Sequence, residues 1–113
     1  MSEARLRAAL EGCARAGQLV TYGALAAEIG LDGAGRIARL TAMLEALMVE
    51  DTQAGQPLRA ALVLGRVSGG LPARGFFLKA AELGHDASDP AAFHRAQIAA
   101  LFSAAGKAAD PSA

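Results

Sequence analysis

The side chains of this 113-residue sequence that are best suited to chemistry are its arginines, because histidine and cysteine occur in patterns that build no reactive site. His85 and His94 enclose two acids, Asp86 and Asp89, but those acids stand where turn and helix-cap residues are expected, and zinc needs three or four well-spaced ligands. The single cysteine, Cys13, is predicted on the apolar side of the first helix, as an inert core residue. We therefore expect a non-enzymatic protein without metal or cofactor.

The basic residues fall in two segments. Eleven Lys or Arg balance eleven Asp or Glu, so the chain has no overall field and any charge argument must be local. One segment is the start of a predicted helix, and the other, between residues 59 and 79, contains no acid. The candidate nucleic-acid contacts in these segments are Arg36 and Arg39, then Arg59, Arg66 and Arg74. The alternative is that these are ordinary solvated surface arginines.

Helices must position most of these side chains. Hydrophobic residues make up 53% of the chain, and alanine and leucine, which are strong helix formers, dominate them. Apolar residues at steps of three and four predict helices over Ser2–Ala16 and Tyr22–Ile29, and a third with Ile37, Leu40, Leu44, Leu47 and Met48 on its inner face. Thr21 is predicted to cap the second helix. A glycine-bearing turn joins the second and third helices in a helix-turn-helix pattern.

The second half of the chain adds a predicted strand pair and two more helices. The apolar run Ala60–Leu64 and the turn signals after it predict a β-hairpin over Arg59–Arg74. A short helix follows over Phe76–Leu83, and Asp89 with Pro90 begins a last one. The expected fold is mostly α with a small hairpin (α+β), a winged helix-turn-helix with extra C-terminal helices. Residues 1–106 would form one domain, and residues 107–113 a frayed tail.

Residues 21–40, TYGALAAEIGLDGAGRIARL, resemble the DNA-binding helix-turn-helix of the alkylguanine-DNA alkyltransferases and the alkyltransferase-like proteins. The resemblance implies that Arg36 enters the duplex from the minor groove in place of an extruded base. It also implies that Tyr22 presses on the adjacent phosphate. Further along, PLRAALVL and GGLPARGFF are similar to small bacterial winged-helix modules, some of them fused to nuclease-type proteins.

The sequence departs from that family at its nucleophile. In the nearest register Leu58 stands where the reactive cysteine belongs and Arg59 where its histidine base belongs. The resemblance therefore implies DNA binding without alkyl transfer.

The predicted partner is double-stranded DNA, bound with modest, salt-sensitive affinity. The alternative function is a protein-interaction or dimerisation module without DNA binding. It would use the alanine-rich last helix, with Ile98, Leu101 and Phe102, to contact a second copy or another protein. No apolar stretch is long enough for a membrane span, and the lone cysteine fits a reducing compartment, so we expect a cytoplasmic location.

Overall fold

The structure, a computed structural model, describes residues 2–65 and 69–106, most of which are helical. In chain order its elements are α1 (Ser2–Ala16), β1 (Val20–Thr21), α2 (Tyr22–Glu28), α3 (Arg36–Gln53), a 3₁₀ turn (Arg59–Leu62), β2 (Val63–Leu64), α4 (Arg74–Glu82) and α5 (Pro90–Ala104). The prediction of a mostly helical α+β chain is confirmed. No helix within the described ranges combines the length and apolarity needed to cross a membrane.

The helix boundaries follow the local signals of the sequence. The hydroxyl of Thr21 accepts a hydrogen bond from the Ala24 N–H (3.2 Å) at the start of α2. The carboxylate of Asp89 does the same for the Ala92 N–H (3.2 Å) at the start of α5. Helix α1 ends at Ala16, and the next residue, Gly17, has a φ of 67° that a residue with a side chain rarely adopts.

One core lies between the helices, and the 3₁₀ turn is at its centre. The turn packs against α1, α3 and α5, and the buried part of the core consists mainly of leucine and alanine. As predicted, Leu40, Leu44, Leu47 and Met48 of α3 are buried. The prediction was wrong for Ile37, which is 39% exposed because it lies in the first turn of α3.

The two short strands pair in parallel, with Val20 opposite Val63 and Thr21 opposite Leu64. Parallel strands need a long crossover connection, and here α2 and α3 provide it. The helix-turn-helix is therefore anchored at both ends to the same small sheet.

The prediction of a hairpin over residues 59–74 was wrong, because neither end of this segment is a strand. Arg59 begins the 3₁₀ turn and Arg74 begins α4, and the β2 residues Val63 and Leu64 pair with β1. Two side chains explain the difference at the first end, because they accept the backbone hydrogen bonds of Arg59 and of the residue before it. The amide of Leu58 donates to the Gln97 side-chain oxygen (2.8 Å), and that of Arg59 donates to the Asp51 carboxylate (3.0 Å).

The loop after β2 is closed by one backbone hydrogen bond, from the Gly65 N–H to the Leu71 carbonyl (2.9 Å). The predicted hairpin tip at residues 66–68 lies outside the described residues, and so does the predicted tail at 107–113.

Candidate nucleic-acid interface

The connection between α2 and α3 is held in shape by Arg39. Its guanidinium donates hydrogen bonds to the carbonyls of Asp32 (2.6 Å) and Ala34 (3.2 Å). Gly35, with φ of 78°, begins α3 and provides no side-chain cap. Arg39 therefore fixes the turn in addition to carrying a charge at the surface.

The first turn of α3 is open to solvent. Arg36, Ile37, Ala38 and Arg39 are all exposed. The first backbone amides of a helix have no partner inside the helix, and they bear partial positive charge. This end of α3 therefore presents two guanidinium groups and unpaired amides, an arrangement that suits an anion such as phosphate.

Tyr22 lies beside this end of α3. It is half-buried in a pocket of about 260 Å³ that Ile37 of α3 and Ala73 also line. Burial raises the pKa of the Tyr22 hydroxyl above its usual value, and the backbone of Ala73 acts in the opposite direction. The phenol is therefore neutral at physiological pH and can donate a hydrogen bond.

Arg74 belongs to the same region of the surface. It is exposed at the first position of α4, and its neighbours Ala73 and Gly75 line the same pocket as Tyr22. The fold thus brings together the start of α2, the start of α3 and the start of α4. The pocket-lining residues Tyr22, Ile37 and Ala73 mark this meeting point, with Arg36 and Arg74 next to them in the chain.

Arg59 is placed elsewhere. Its guanidinium contacts the buried carboxylate of Asp51 (Nη2 to Oδ1, 2.7 Å) and the carboxylate of Glu50 (3.0 Å). Hydrogen bonding to Asp51 raises the pKa of the Arg59 guanidinium above its usual value. Asp51 follows Arg36 by fifteen positions in α3, which corresponds to about 22 Å along the helix. The charge of Arg59 is thus largely neutralised and far from Arg36.

The sixth predicted contact, Arg66, lies outside the described residues. Of the other five, Tyr22 lines the pocket, and Arg36 and Arg74 are exposed at positions next to pocket-lining residues. Arg39 lies on the adjoining turn, and Arg59 is in an ion pair.

The prediction overlooked Glu45. It lines the pocket together with Ile37, Thr41 and Met48. These four residues recur at steps of four, four and three along α3, so they form a second stripe beside the buried one. That spacing could have predicted a second face of α3 that packs against the protein. A charged residue such as Glu45 is normally assigned to the solvent-exposed face, so the pattern was overlooked.

The remaining reactive groups are used structurally. In the part of the chain that the structure describes, no three His, Cys, Asp or Glu residues cluster as metal ligands. Buried His94 bonds to the Ala61 carbonyl (2.9 Å), and His85 to the Thr52 hydroxyl (2.8 Å). Burial raises the pKa of the Cys13 thiol, which disfavours a reactive thiolate.

Leu58, at the position where the resemblance puts the nucleophilic cysteine, is completely buried. Its side chain is part of the core, so even the site that a nucleophile would need is filled with packed hydrocarbon.

Comparisons with protein-family models, with curated proteins and with solved structures found no match for this chain.

Proposed function

We propose that this protein is a non-enzymatic, double-stranded DNA-binding protein that uses the open first turn of α3. The observation that carries the proposal is the exposed Arg36 at the start of α3. Its neighbour Ile37 lines one pocket with Tyr22 and with Ala73 and Gly75, the two residues that flank exposed Arg74. Phosphate contacts supply most of the affinity of such interfaces, and arginines together with helix N-termini provide them.

The order of elements supports a winged-helix architecture for this purpose. Helix α1, strand β1, the α2 and α3 pair and strand β2 follow one another as in a winged helix-turn-helix. A wing would follow β2 in the chain. In this arrangement Arg36 would reach the bases, and Tyr22 and Arg74 would contact the flanking phosphates.

The charges predict the strength of binding. Arg36 and Arg74 are exposed, whereas Arg59 is neutralised and Arg39 is partly engaged with the turn. Two or three phosphate contacts give a slope of log affinity against log salt of roughly −2 to −3. We therefore expect weak, salt-sensitive binding to duplex DNA.

Fluorescence anisotropy with a labelled random duplex at low salt tests the proposal. We expect saturable binding that Arg36→Ala weakens by about tenfold. Arg95→Ala is the matched control, because Arg95 is an exposed arginine on α5. Equal affinity of the Arg36 and Arg95 variants, or no binding by the wild-type protein at high micromolar concentration, would contradict the proposal.

The alternative, a protein-interaction module that uses α5, has less support. Leu101 is buried, and Ile98 and Phe102 pack against the core, so all three contribute to the interior of their own chain. Sedimentation velocity tests this alternative, which requires a concentration-dependent dimer that Ile98→Ser weakens.

A further inference from the structure

The pocket that Tyr22 lines has an apolar wall and an acid, Glu45, which have no role in the proposed DNA binding. It encloses about 260 Å³, roughly the volume of nine waters. Most of its wall is apolar or aromatic, and its one charged residue is Glu45. The residues that line it and carry the argument are Tyr22, Ile37, Glu45, Met48 and Phe76.

Glu45 is the one acid that lines this pocket. Among the residues that the structure describes, its carboxylate makes neither an ion pair nor a hydrogen bond. The nearby ammonium of Lys79 is bonded to Glu82 instead, at 2.9 Å. A half-buried carboxylate against an apolar wall gains from any ligand that brings a positive charge.

The rest of the wall suits a cation that carries alkyl groups. The ring of half-buried Tyr22 offers a π system, which attracts organic cations. Phe76 and Met48 are buried and add small apolar parts of the wall. An inorganic cation would keep its hydration shell and gain little from such surroundings. An alkylated ammonium ion is weakly hydrated, and its methyl groups would fill the apolar space.

We infer that this pocket binds a small organic ammonium ion, with its alkyl groups against Tyr22 and Ile37 and its charge near Glu45. The inference goes beyond the proposed function, since DNA is an anion and would be held by the arginines at the surface. Its test uses no DNA, so either proposal can fail while the other stands.

The decisive comparison is between choline and 3,3-dimethyl-1-butanol, a neutral molecule of nearly the same shape. In amide NMR spectra of the wild-type protein, choline should shift the resonances of Tyr22, Glu45 and Phe76 in a saturable way. The neutral molecule should bind about tenfold more weakly or not at all. Because this comparison needs no variant, it does not depend on how a substitution affects folding.

Variants then locate the charge. Glu45→Gln should weaken choline binding by about tenfold while circular dichroism and the thermal midpoint show a folded chain, and Glu45→Asp should restore part of the affinity. Glu28→Gln is the control, because Glu28 is an exposed acid at the end of α2 and does not line the pocket. It should leave choline binding unchanged.

Three results would overturn the inference. The first is equal binding of choline and its neutral counterpart. The second is undiminished choline binding by Glu45→Gln. The third is a response of the pocket amides to a free nucleobase such as adenine and not to choline, since the pocket would then recognise a base.

Discussion

The guanidinium of Arg59 wraps around the carboxylate of Asp51, which is only 3% exposed. Nη2 lies 2.7 Å from Oδ1 and Nε lies 3.1 Å from the same oxygen. The backbone amide of Arg59 adds a third contact, 3.0 Å from Oδ2. These two residues thus join the end of α3 to the 3₁₀ turn at the centre of the core. The Arg59 guanidinium, which the sequence analysis predicted to contact DNA, is bound to this carboxylate instead.

Removing Asp51 should be costly. Asp51→Ala leaves the backbone amide of Arg59 without its acceptor and the mostly buried guanidinium with only the exposed Glu50 as partner, so we expect a loss of about 3 kcal/mol in the free energy of unfolding. Urea denaturation measures it. Glu82→Ala, which breaks the exposed pair with Lys79, is the control and should cost much less. Similar losses in both variants would show that the Arg59 pair is not a structural link.

Glu50 should make stability depend on pH in the acid range. Hydrogen bonds from Arg7 (2.7 and 2.8 Å) and from Arg59 lower the pKa of Glu50 from 4.5 to about 2. A lowered pKa means that the folded state favours the carboxylate. The stabilisation is therefore present above pH 4.5 and is lost as the pH falls towards about 2.

Urea denaturation of wild type and Glu50→Gln at several pH values tests this dependence. Wild type should be the more stable near pH 7, and the difference should disappear near about pH 2. A difference that stays constant over this range would contradict the role given to Glu50.

The helices were predictable because their signals are local. The steps of three and four that bury Leu40 and Leu44, and the caps at Thr21 and Asp89, involve residues within one or two turns of each other. The backbone between Leu58 and Leu62 was not predictable in this way. Its conformation depends on Asp51 and on Gln97, and the second of these lies 39 positions away from its partner.

The candidate interface was predictable only in part, for the same reason. Arg36 follows from its place at the start of a helix, and the structure puts Tyr22 beside that helix. The neutralisation of Arg59 depends on a packing arrangement that brings two acids of α3 to it. The pocket around Glu45 needs α3 and α4 to meet, which no local pattern reveals.

Two helix caps provide a matched test of how Tyr22 is positioned. Thr21→Ala and Asp89→Ala each remove one cap and should each cost about 1 kcal/mol of stability. Only the first frees the start of α2, where Tyr22 begins the helix. Thr21→Ala should therefore weaken DNA binding several-fold and Asp89→Ala should not, as anisotropy would show. Equal DNA affinities of the two variants would show that the position of Tyr22 does not affect DNA binding.

Arg36 and Arg39 should differ in how salt affects their variants. Arg36→Ala removes a charge that points into solvent, so the magnitude of the salt slope should fall by about one. Arg39→Lys keeps the charge but cannot reproduce the two bonds to the turn carbonyls of Asp32 and Ala34. It should weaken DNA binding and lower the thermal midpoint with a smaller change in slope. Identical slopes for both variants would show that charge alone matters at Arg39.

Two glycines should respond oppositely to alanine. At Gly12, inside α1, an added Cβ meets nothing within 4 Å, so Gly12→Ala should stabilise the chain by about 0.5–1 kcal/mol. At Gly30, φ is 83° and the Cβ would lie 2.9 Å from the Arg5 guanidinium, so Gly30→Ala should destabilise it by about 1–2 kcal/mol. Thermal denaturation distinguishes the two, and a gain at Gly30 would contradict the left-handed turn after α2.

The register of the two strands has a consequence for the order in which the protein matures during synthesis. Val20 emerges from the ribosome long before Val63, its partner in the ladder, so the sheet that anchors both ends of α2 and α3 cannot close until β2 has emerged as well. A nascent polypeptide stalled before that point would contain all of α2 and α3 but would lack the pairing of β1 with β2 that fixes their geometry. The arrangement of α2 and α3 would thus be fixed only after β2 has emerged.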